Sequence, residues 1–274
     1  MTDGVRDPGL DEYYETYDES SRLSRGKSSR TEFLTTVRVI DRYLAPSSTI
    51  LDIGAGPGCY SFHYAKLGHT VVARDRVPHN VELMRAHPLY RELDIDADMA
   101  DARDLSEFSD ALFDAVLCFG PLYHIGDTEG RRQCISECLR VLRPGGILAV
   151  AYINKFFVSA YLVRRDRKYL ADGPWERIMN RETALAEDPG ALWFFDAPEE
   201  VEALLSSFGV QRLTNVGTDG IAILLEDVVD ALDDAEFGQW LKHHYAICEE
   251  PSILGYSNHG LYVCRLARCA SRTE

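Results

Sequence analysis

Hydrophobic positions recur along the chain with two different periods. In residues 27–44 they fall three or four apart, as on one face of a helix, at Phe33, Leu34, Val37, Ile40, Tyr43 and Leu44. Short runs with an apolar centre then alternate with further helical patterns; these runs are TILDI, HTVVARD, FDAVLCFG and ILAVAYIN. Continuous apolar runs of this length are typical of strands that are covered on both faces. The pattern therefore predicts an α/β fold in which helices cover both sides of a mainly parallel sheet.

The regular alternation ends after Asn154. A predicted helix, KFFVSAYLVRRDRKYL, is followed by irregular sequence rich in aromatic residues, and a clear helical pattern returns in APEEVEALLSSFG. We therefore divide the chain into an N-terminal cap and helix (1–45), a first core segment (46–154), a lid or substrate insertion (155–196) and the C-terminal part of the core (197–274).

The charge balance narrows the class of partner. The chain has 274 residues, with 29 Lys and Arg against 44 Asp and Glu, which gives a formal net charge of −15. Such a charge repels phosphate backbones and anionic lipid surfaces, so nucleic acid is a disfavoured partner. No apolar run approaches the roughly 20 residues needed to cross a bilayer, and no membrane span is expected. Composition does not indicate an oligomeric state.

The seven cysteines include no CxxC pair, and MTDGVRDPGL lacks the features of a secretory leader. We therefore expect a reduced, cytoplasmic protein. Cys134 and Cys138 lie four residues apart and would share a helix face. No cluster of His or Cys lies near them in the sequence, so we expect them in the core and predict no metal site.

Three glycines at alternate positions follow the first apolar run, in TILDIGAGPGCYSF. A glycine loop between a strand and a helix presents backbone N–H groups and the positive end of the helix dipole, so a ligand can approach the main chain closely. Dinucleotide-binding loops use G-x-G-x-x-G. Here Gly54, Gly56 and Gly58 give G-x-G-x-G, and Cys59 occupies the position of the last dinucleotide glycine.

This loop resembles the first motif of the class I S-adenosylmethionine-dependent methyltransferases, which is an acid, one residue and then G-x-G-x-G. Four further segments resemble the family in the same order: the second strand ending at Asp75, DMADARDL, FDAVLCFGPLYHI and LRPGGILAV. The ending GYSNHGLYVCRLA resembles a group of uncharacterised bacterial members. The resemblance implies a Rossmann-like class I methyltransferase fold, with a seven-stranded, mostly parallel sheet, one antiparallel edge strand and a helical lid insertion.

The resemblance also implies the cofactor S-adenosyl-L-methionine, bound by the core segment 46–154. In the family the acid at Asp52 helps to hold the methionine part, and the acid at Asp75 takes both ribose hydroxyls. Asp101 would accept from the adenine amino group, and the backbone N–H of Ala102 would donate to the ring. The whole predicted cofactor site consists of Tyr14, Tyr17, Arg22, Asp52, Gly54, Ala55, Gly56, Gly58, Asp75, Arg76, Asp101, Ala102 and Phe119.

The loop after the fourth strand, residues 119–124, is the expected acceptor side, because ligands collect at the carboxyl ends of parallel strands. His124 is the candidate general base, since its ordinary pKa lies near neutrality, and Tyr123 is the second catalytic candidate. The alternative for both side chains is that they pack within the loop. The three C-terminal histidines are more typical of surface or core residues; these are His243, His244 and His259.

Three tyrosines near the N-terminus, Tyr13, Tyr14 and Tyr17, fall on one helical face. Their rings offer large faces with polar tips, so they are suited to closing over the cofactor, with Arg22 reaching the cofactor carboxylate. The alternative is that these tyrosines pack on the following helix.

The predicted function is methyl transfer from S-adenosylmethionine to a small-molecule acceptor. Aromatic residues of the insertion are expected to form the core of the lid and part of an acceptor pocket; these are Phe156, Phe157, Tyr161, Trp175, Trp193, Phe194 and Phe195. Three alternatives stay open: an RNA methyltransferase of the same fold, a non-catalytic S-adenosylmethionine-binding regulator and an NAD-dependent oxidoreductase.

Overall fold

The computed structural model describes residues 8–170, 178–179 and 192–267, so Trp175 of the insertion lies outside the described residues. The strands are β1 (Thr49–Ile53), β2 (Thr70–Asp75), β3 (Ile95–Met99), β4 (Phe113–Cys118), β5 (Leu142–Ile153), β6 (Gln211–Gly217) and β7 (His259–Arg265). The helices are α1 (Pro8–Thr16), α2 (Lys27–Asp41), α3 (Cys59–Lys66), α4 (Pro78–Ala86), α5 (Pro121–His124), α6 (Thr128–Val141), α7 (Lys155–Arg165), α8 (Pro198–Ser206), α9 (Glu226–Val229) and α10 (Asp234–Ile247).

The strands form one sheet of seven in the order β3-β2-β1-β4-β5-β7-β6. Strands β1 to β5 pair in parallel, whereas β7 runs antiparallel to both β5 and β6. The predicted fold class is confirmed. The antiparallel strand is not itself the edge, because β7 lies second from the edge and forms an antiparallel edge pair with β6.

Both faces of the sheet are buried. Side chains alternate along a strand, so Ile50 of β1 joins the apolar layer that contains Ile40 of α2, while Leu51 joins the layer that contains Ile135 and Cys138 of α6. All five of these side chains are fully buried. Burial on both faces explains why TILDI is apolar almost throughout, and the expected core position of Cys138 is confirmed.

The residues RPGG, which precede the apolar run ILAVAYIN and have the composition of a turn, lie inside β5. Leu142 already pairs with Phe113, and the register shifts before Ala115 pairs with Ile147. Gly145 has φ of +87° in this stretch, a conformation that glycine adopts readily. The strand therefore begins at Leu142, before the apolar run that predicted it.

The strand order reverses between β1 and β4, which opens a crevice at their carboxyl ends. The glycine loop follows β1, and residues 119–124 follow β4, so the two predicted functional segments meet at this crevice. Within the described ranges, no helix combines the length and the apolar character that crossing a membrane requires.

Candidate functional site

The glycine loop joins β1 to α3 and is fixed against the end of β2. The N–H groups of Gly54 and Ala55 both donate to the carbonyl oxygen of Arg74. Gly54, Gly56 and Gly58 have φ of +77°, +56° and +92°, in the left-handed region that favours glycine. The G-x-G-x-G spacing therefore sets the backbone conformation of the loop.

Adding a Cβ to each glycine shows which of them face a ligand. A Cβ on Gly54 would lie 2.6 Å from Cδ of Pro121, and a Cβ on Gly58 would lie 2.8 Å from Cγ of Met84. Packing within the protein therefore requires these two glycines. A Cβ on Gly56 would lie 3.6 Å from its nearest neighbour. The bare backbone at Gly56 is the part of the loop that a ligand can lie against.

The carboxylate of Asp75, at the end of β2, already has three donors. Oδ2 accepts from the N–H of Gly56 at 2.7 Å, and Oδ1 accepts from the N–H of Val77 at 2.8 Å and from the amide of Asn80 at 3.2 Å. Burial raises the pKa of Asp75, and these hydrogen bonds oppose that rise. A carboxylate has about four acceptor positions, so Asp75 can take one further donor without losing a bond. Binding two ribose hydroxyls would require one present donor to move.

Asp101 is held by a residue that the sequence did not single out. The N–H and Nε of Arg103 donate to Oδ1 of Asp101, each at 2.9 Å, and a terminal nitrogen of Arg103 donates to Oδ2 at 2.5 Å. Burial raises the pKa of Asp101, but the bonds from Arg103 outweigh it and lower that pKa below its ordinary value. Asp101 is therefore an ionised acceptor whose two oxygens already share one arginine.

These groups line a first cavity of about 120 Å³. The predicted residues on its wall are Tyr14, Arg22, Gly54, Ala55, Gly56, Asp75, Arg76, Asp101, Ala102, Phe119, Tyr123 and His124. Twelve of the predicted site residues are thus brought together. Three others do not line this cavity; these are Tyr17, Asp52 and Gly58.

The placement of these three residues has a physical reason in each case. Asp52 is buried behind the loop, where Oδ2 accepts from the hydroxyl of Ser61 at 2.6 Å. Gly58 precedes α3 and packs against the core. Tyr17 stacks on Tyr13, with ring centroids 5.3 Å apart, and lines a different cavity. These three residues lie beside the first cavity rather than on its wall, and their assignment to the cofactor site stays a prediction.

Arg22 lies between two carboxylates. Its Nε lies 2.6 Å from Oε1 of Glu19, and its terminal nitrogens lie 2.8 and 3.2 Å from the two oxygens of Glu32. The sequence suggested that Arg22 reaches the cofactor carboxylate. Its guanidinium is instead engaged within the protein, so such a contact would have to be shared with, or exchanged for, one of these glutamates.

His124 is bonded through both ring nitrogens. Nδ1 lies 2.8 Å from the carbonyl oxygen of Leu192 and must donate to it, so Nε2 accepts from the hydroxyl of Tyr14 at 3.1 Å. The ring also packs against Trp193 and Tyr123, with centroids 4.5 and 4.9 Å away. Burial raises the pKa of Tyr123, so its hydroxyl stays protonated at neutral pH. In the neutral ring, Nε2 would be the basic nitrogen of His124, and the hydroxyl of Tyr14 covers it.

A second cavity, of about 760 Å³, adjoins the first. Aromatic side chains from the N-terminal segment, from α7 with the turn after it, and from residues 192–195 line it; these are Tyr13, Tyr17, Tyr161, Tyr169, Trp193 and Phe195. Six residues line both cavities and are called the shared wall: Tyr14, Glu19, Arg22, Glu32, Tyr123 and His259. His124 lines the first cavity only.

His259, on the shared wall, is paired with a buried acid. Its Nδ1 lies 2.8 Å from Oδ2 of Asp219 and 3.3 Å from Oε2 of Glu32. Asp219 is fully buried and also accepts the backbone N–H of His259 and the hydroxyl of Ser257. Burial lowers the pKa of His259, but Glu32 and Asp219 outweigh it and raise that pKa above its ordinary value.

Two groups of side chains among the described residues have metal-ligand spacing, with ligand atoms within 4.8 Å of one another in each; the groups are Glu32, Asp219 and His259, and Cys118, Cys134 and Cys138. In the first group, Arg22 already pairs with one carboxylate and the imidazole is bonded to the other. In the second group the thiols are fully buried in the apolar core. Internal pairing and packing account for both groups without a metal ion.

Sequence reasoning missed Glu19, Glu32 and Asp219. Glu32 falls on the buried face of α2, and an acid on the apolar face of a helix was the signal available for it. Asp219 follows β6 and meets the start of β7 only through strand pairing. No local pattern connects these acids with the glycine loop.

The sheet order, the left-handed glycine loop after β1 and the acid at the end of β2 define a class I methyltransferase-type cofactor fold. A family model described as a methyltransferase domain matches residues 51–150. A ubiquinone biosynthesis O-methyltransferase of Xanthomonas campestris pv. campestris (strain B100) is 30% identical over 173 residues, which are 63% of this chain and 66% of that protein. The matched part is thus just under two thirds of the relative's length.

Solved structures share the fold at lower identity. A S-adenosylmethionine-dependent methyltransferase from Methanosarcina mazei aligns with a TM-score of 0.56 and 22% identity, over 84% of this chain and 97% of that one. The [4+2]-cyclase SpnF aligns with a TM-score of 0.54 and 20% identity, over 86% and 82%. Residues 51–150 thus match a methyltransferase domain, and the chain has the fold of the S-adenosylmethionine-dependent methyltransferase from Methanosarcina mazei.

Proposed function

We propose that this protein transfers a methyl group from S-adenosylmethionine to a small-molecule acceptor bound in the second cavity. The observation that carries the proposal is the shared wall, which places the cofactor loop next to an aromatic cavity of about 760 Å³. That volume falls within the roughly 300–1,000 Å³ typical of small-molecule sites. Residues 155–196, from which several wall residues come, are proposed as the lid and acceptor-binding segment.

The residues of the first cavity fit the cofactor. The bare backbone at Gly56 permits close approach, Asp75 has acceptor capacity for a ribose hydroxyl, and Asp101 with Ala102 offers an acceptor and a donor for adenine. When bound, the cofactor supplies an electrophilic methyl carbon. Tyr14, Glu19 and Arg22 of the N-terminal segment line the first cavity beside these groups, so this segment would lie over the bound cofactor.

In-line methyl transfer depends mainly on holding the acceptor atom close to the methyl carbon. The shared wall is where such an acceptor would lie. His124 and Tyr123 remain proposed catalytic residues, and His124 can act as a base only if Tyr14 uncovers its Nε2. The relative from Xanthomonas is named an O-methyltransferase, which favours an oxygen acceptor here.

The alternatives are weaker. A net charge of −15 disfavours RNA. A cofactor-binding regulator has no need of the second cavity, and G-x-G-x-G spacing disfavours NAD. The structure of SpnF, which is named a [4+2]-cyclase, shares this fold, so the fold by itself does not define the reaction. The acceptor therefore has to be identified by experiment.

Calorimetry tests the cofactor assignment. We expect saturable binding of S-adenosylmethionine and S-adenosylhomocysteine and no binding of NAD or NADP. Asp75→Ala should weaken cofactor binding by about 1–3 kcal/mol, because a ribose hydroxyl loses its partner. Glu92→Ala, at an exposed acid before β3, is the matched control. Tight NAD binding, or normal cofactor affinity in Asp75→Ala, would contradict the assignment.

Mass spectrometry tests the reaction. Extracts of small metabolites incubated with the protein and methyl-labelled S-adenosylmethionine should yield a labelled small molecule, and Asp75→Ala should reduce its formation. Label recovered only in RNA would establish the first alternative, and cofactor binding with no labelled product would favour the regulator.

A further inference from the structure

The shared wall contains one imidazole, that of His259, and the strand topology explains its position. Parallel strands present their carboxyl ends to the crevice, so an antiparallel strand presents its amino end there. His259 is the first residue of β7, and it pairs with Ile153 at the end of β5. Its side chain is 18% exposed and borders both cavities. An acceptor that meets the cofactor at this wall would lie beside His259.

Hydrogen bonding fixes the tautomer of His259. Nδ1 donates to Oδ2 of Asp219 at 2.8 Å, because an ionised carboxylate only accepts. The lone pair therefore lies on Nε2. The amide nitrogen of Asn258 is 3.4 Å from Nε2, at the long limit of a hydrogen bond. A buried acid bonded to one ring nitrogen, with the other nitrogen basic, is the arrangement that orients a general base.

The charges around His259 favour its protonated form. Asp219 faces it from the segment after β6 and Glu32 faces it from α2, while Arg22 of the N-terminal segment opposes them. Burial raises the pKa of the Asp219 carboxyl, but His259 outweighs it and lowers that pKa, so the acid stays ionised at neutral pH. The carboxylates of Asp219 and Glu32 would therefore stabilise an imidazolium formed on His259.

His124 differs from His259 in each of these respects. Its Nδ1 partner is the neutral carbonyl of Leu192, its Nε2 is covered by the hydroxyl of Tyr14, and it does not line the second cavity. A carbonyl orients an imidazole but stabilises an imidazolium less than a carboxylate does.

We propose that His259, oriented by Asp219, is the general base that takes the proton of an acidic hydroxyl on an acceptor held in the second cavity. The proposal rests on the proposed methyl transfer. The acceptor oxygen forms its bond to the methyl carbon as the carbon–sulfur bond breaks and leaves its electron pair on sulfur. The hydroxyl proton moves to Nε2 of His259 and then to solvent. In this step His259 takes the role of base in place of His124, and Asp219 is a positioning residue.

The chemistry of this base selects a class of acceptor. Proton transfer is most effective when donor and base are not far apart in pKa. A phenolic hydroxyl, with an ordinary pKa near 10 as in tyrosine, is within reach of an imidazole, and its flat ring suits a wall of tyrosine and tryptophan. We therefore assign phenols, and enols of similar acidity, as the acceptor class.

The first test uses 4-nitrocatechol, whose ionised form has its own visible absorbance. The protein is saturated with S-adenosylhomocysteine, the probe is added, and its ionisation is followed against pH. We expect the bound probe to ionise at lower pH than the free probe. His259→Asn should abolish this shift and Asp219→Asn should reduce it. His243→Asn, at an exposed histidine, is the matched control, and His124→Asn tests the rival base; both should keep the shift.

The outcomes separate this proposal from the proposed function. Loss of the shift in His124→Asn with retention in His259→Asn would overturn it, as would the absence of saturable probe binding. Normal binding of S-adenosylhomocysteine to His259→Asn keeps the cofactor assignment intact whichever way the probe behaves. Failure of the wild-type protein to bind S-adenosylhomocysteine would instead defeat the proposed function.

A second measurement does not depend on how well a variant folds. Nitrogen NMR of the ¹⁵N-histidine-labelled wild-type protein should show Nε2 of neutral His259 unprotonated and Nδ1 protonated; the reverse tautomer would overturn the proposal. Once the acceptor is identified, turnover of the wild type should rise as pH passes the pKa of His259. In His259→Asn, turnover should be lower by about 100-fold or more. In Asp219→Asn the inflection should move to lower pH, because the imidazolium loses a neighbouring carboxylate. An unmoved inflection would remove Asp219 from the mechanism.

Discussion

At the scale of single residues, Asp52 is a buried carboxylate whose ionisation lowers the stability of the folded protein. It is 1% exposed, its Oδ2 accepts from Ser61, and its Oδ1 has no hydrogen-bond partner within the described part of the chain. Burial raises the pKa of Asp52 to about 7; the charge of Asp75 adds to the rise and the Ser61 bond opposes it. An ionised carboxylate at this position therefore works against folding.

Asp52→Asn should remove that cost. The pKa of Asp52 is higher in the folded protein than the ordinary 3.8, so its contribution to stability is fully present below about pH 4 and is lost as pH rises to about 7. At about 1.4 kcal/mol per pH unit, the cost at neutral pH is on the order of 4 kcal/mol. Urea unfolding should show the variant gaining on the wild type between about pH 4 and 7. Asp110→Asn, at an exposed acid, should show no such gain in stability over the wild type. Equal pH dependence of stability in the wild type and Asp52→Asn would refute the raised pKa of Asp52.

The sequence predicted that residues at the ends of neighbouring strands lie together in the site. It did not predict contacts between residues that are distant in the sequence and meet only in the folded sheet. Gly56, Asp75 and Asp101 each lie directly after a strand, so their common cavity followed from the rule that such ends meet. Glu32 and Asp219 lie far apart in the sequence and meet His259 through packing of α2 and pairing of β6 with β7. A single sequence does not encode that meeting in any local pattern.

At the scale of elements, the same distinction holds for the sheet. Strands β1, β2, β4 and β5 were predictable from their own apolar runs, because burial on both faces leaves a continuous signal, whereas β3 alternates buried and exposed residues and has no such run. The place of β7 between β5 and β6 was not, since neighbours in the sheet are distant in sequence. The start of β5 at Leu142 could not be predicted from the sequence either, because residues 143–146 have the composition of a turn and pair irregularly with β4.

The N-terminal segment, residues 8–26, packs on the site through two buried leucines, Leu10 and Leu23, and through polar and aromatic contacts. Tyr14 bonds to His124, and Arg22 bonds to Glu32 of α2. The tyrosines contact one another and Trp193, and Tyr13 meets Trp193 edge to face at 5.9 Å. A segment held by such contacts can open and close again over a ligand.

Limited trypsin digestion tests this lid. Cleavage after Arg22 and Arg25 should be slowed by S-adenosylhomocysteine, because the closed segment resists the protease. Tyr14→Phe should speed cleavage about fivefold, as expected for loss of a hydrogen bond of about 1 kcal/mol. Tyr17→Phe, on the second cavity, is the matched control and should behave as the wild type. Equal cleavage rates with and without S-adenosylhomocysteine would count against the lid.

At the scale of the whole molecule, a buried ion pair joins the first core segment to the end of the insertion. A terminal nitrogen of Arg131, on α6, lies 2.7 Å from Oδ2 of Asp196, with side chains 6% and 0% exposed. The backbone of Asp196 also donates to Ile153 at the end of β5 and accepts from Lys155 at the start of α7. The pair thus fixes the point where the chain returns from the insertion to the sheet.

Arg131→Met is the sharpest test of this connection. It keeps an apolar stem of similar length but leaves the Asp196 carboxylate buried without its arginine, and removing one partner of a buried pair costs about 3–5 kcal/mol. Urea unfolding should show a loss of that size. Arg132→Met, one position along the same helix at an exposed arginine bonded to Ser207, should change stability by less than about 1 kcal/mol.

The double variant shows whether charge or packing is responsible. Arg131→Met with Asp196→Asn removes both charges of the pair, so it should recover part of the stability that Arg131→Met loses, because the single change leaves a buried carboxylate without its arginine. Strictly additive losses would mean that the two side chains act through separate packing contacts.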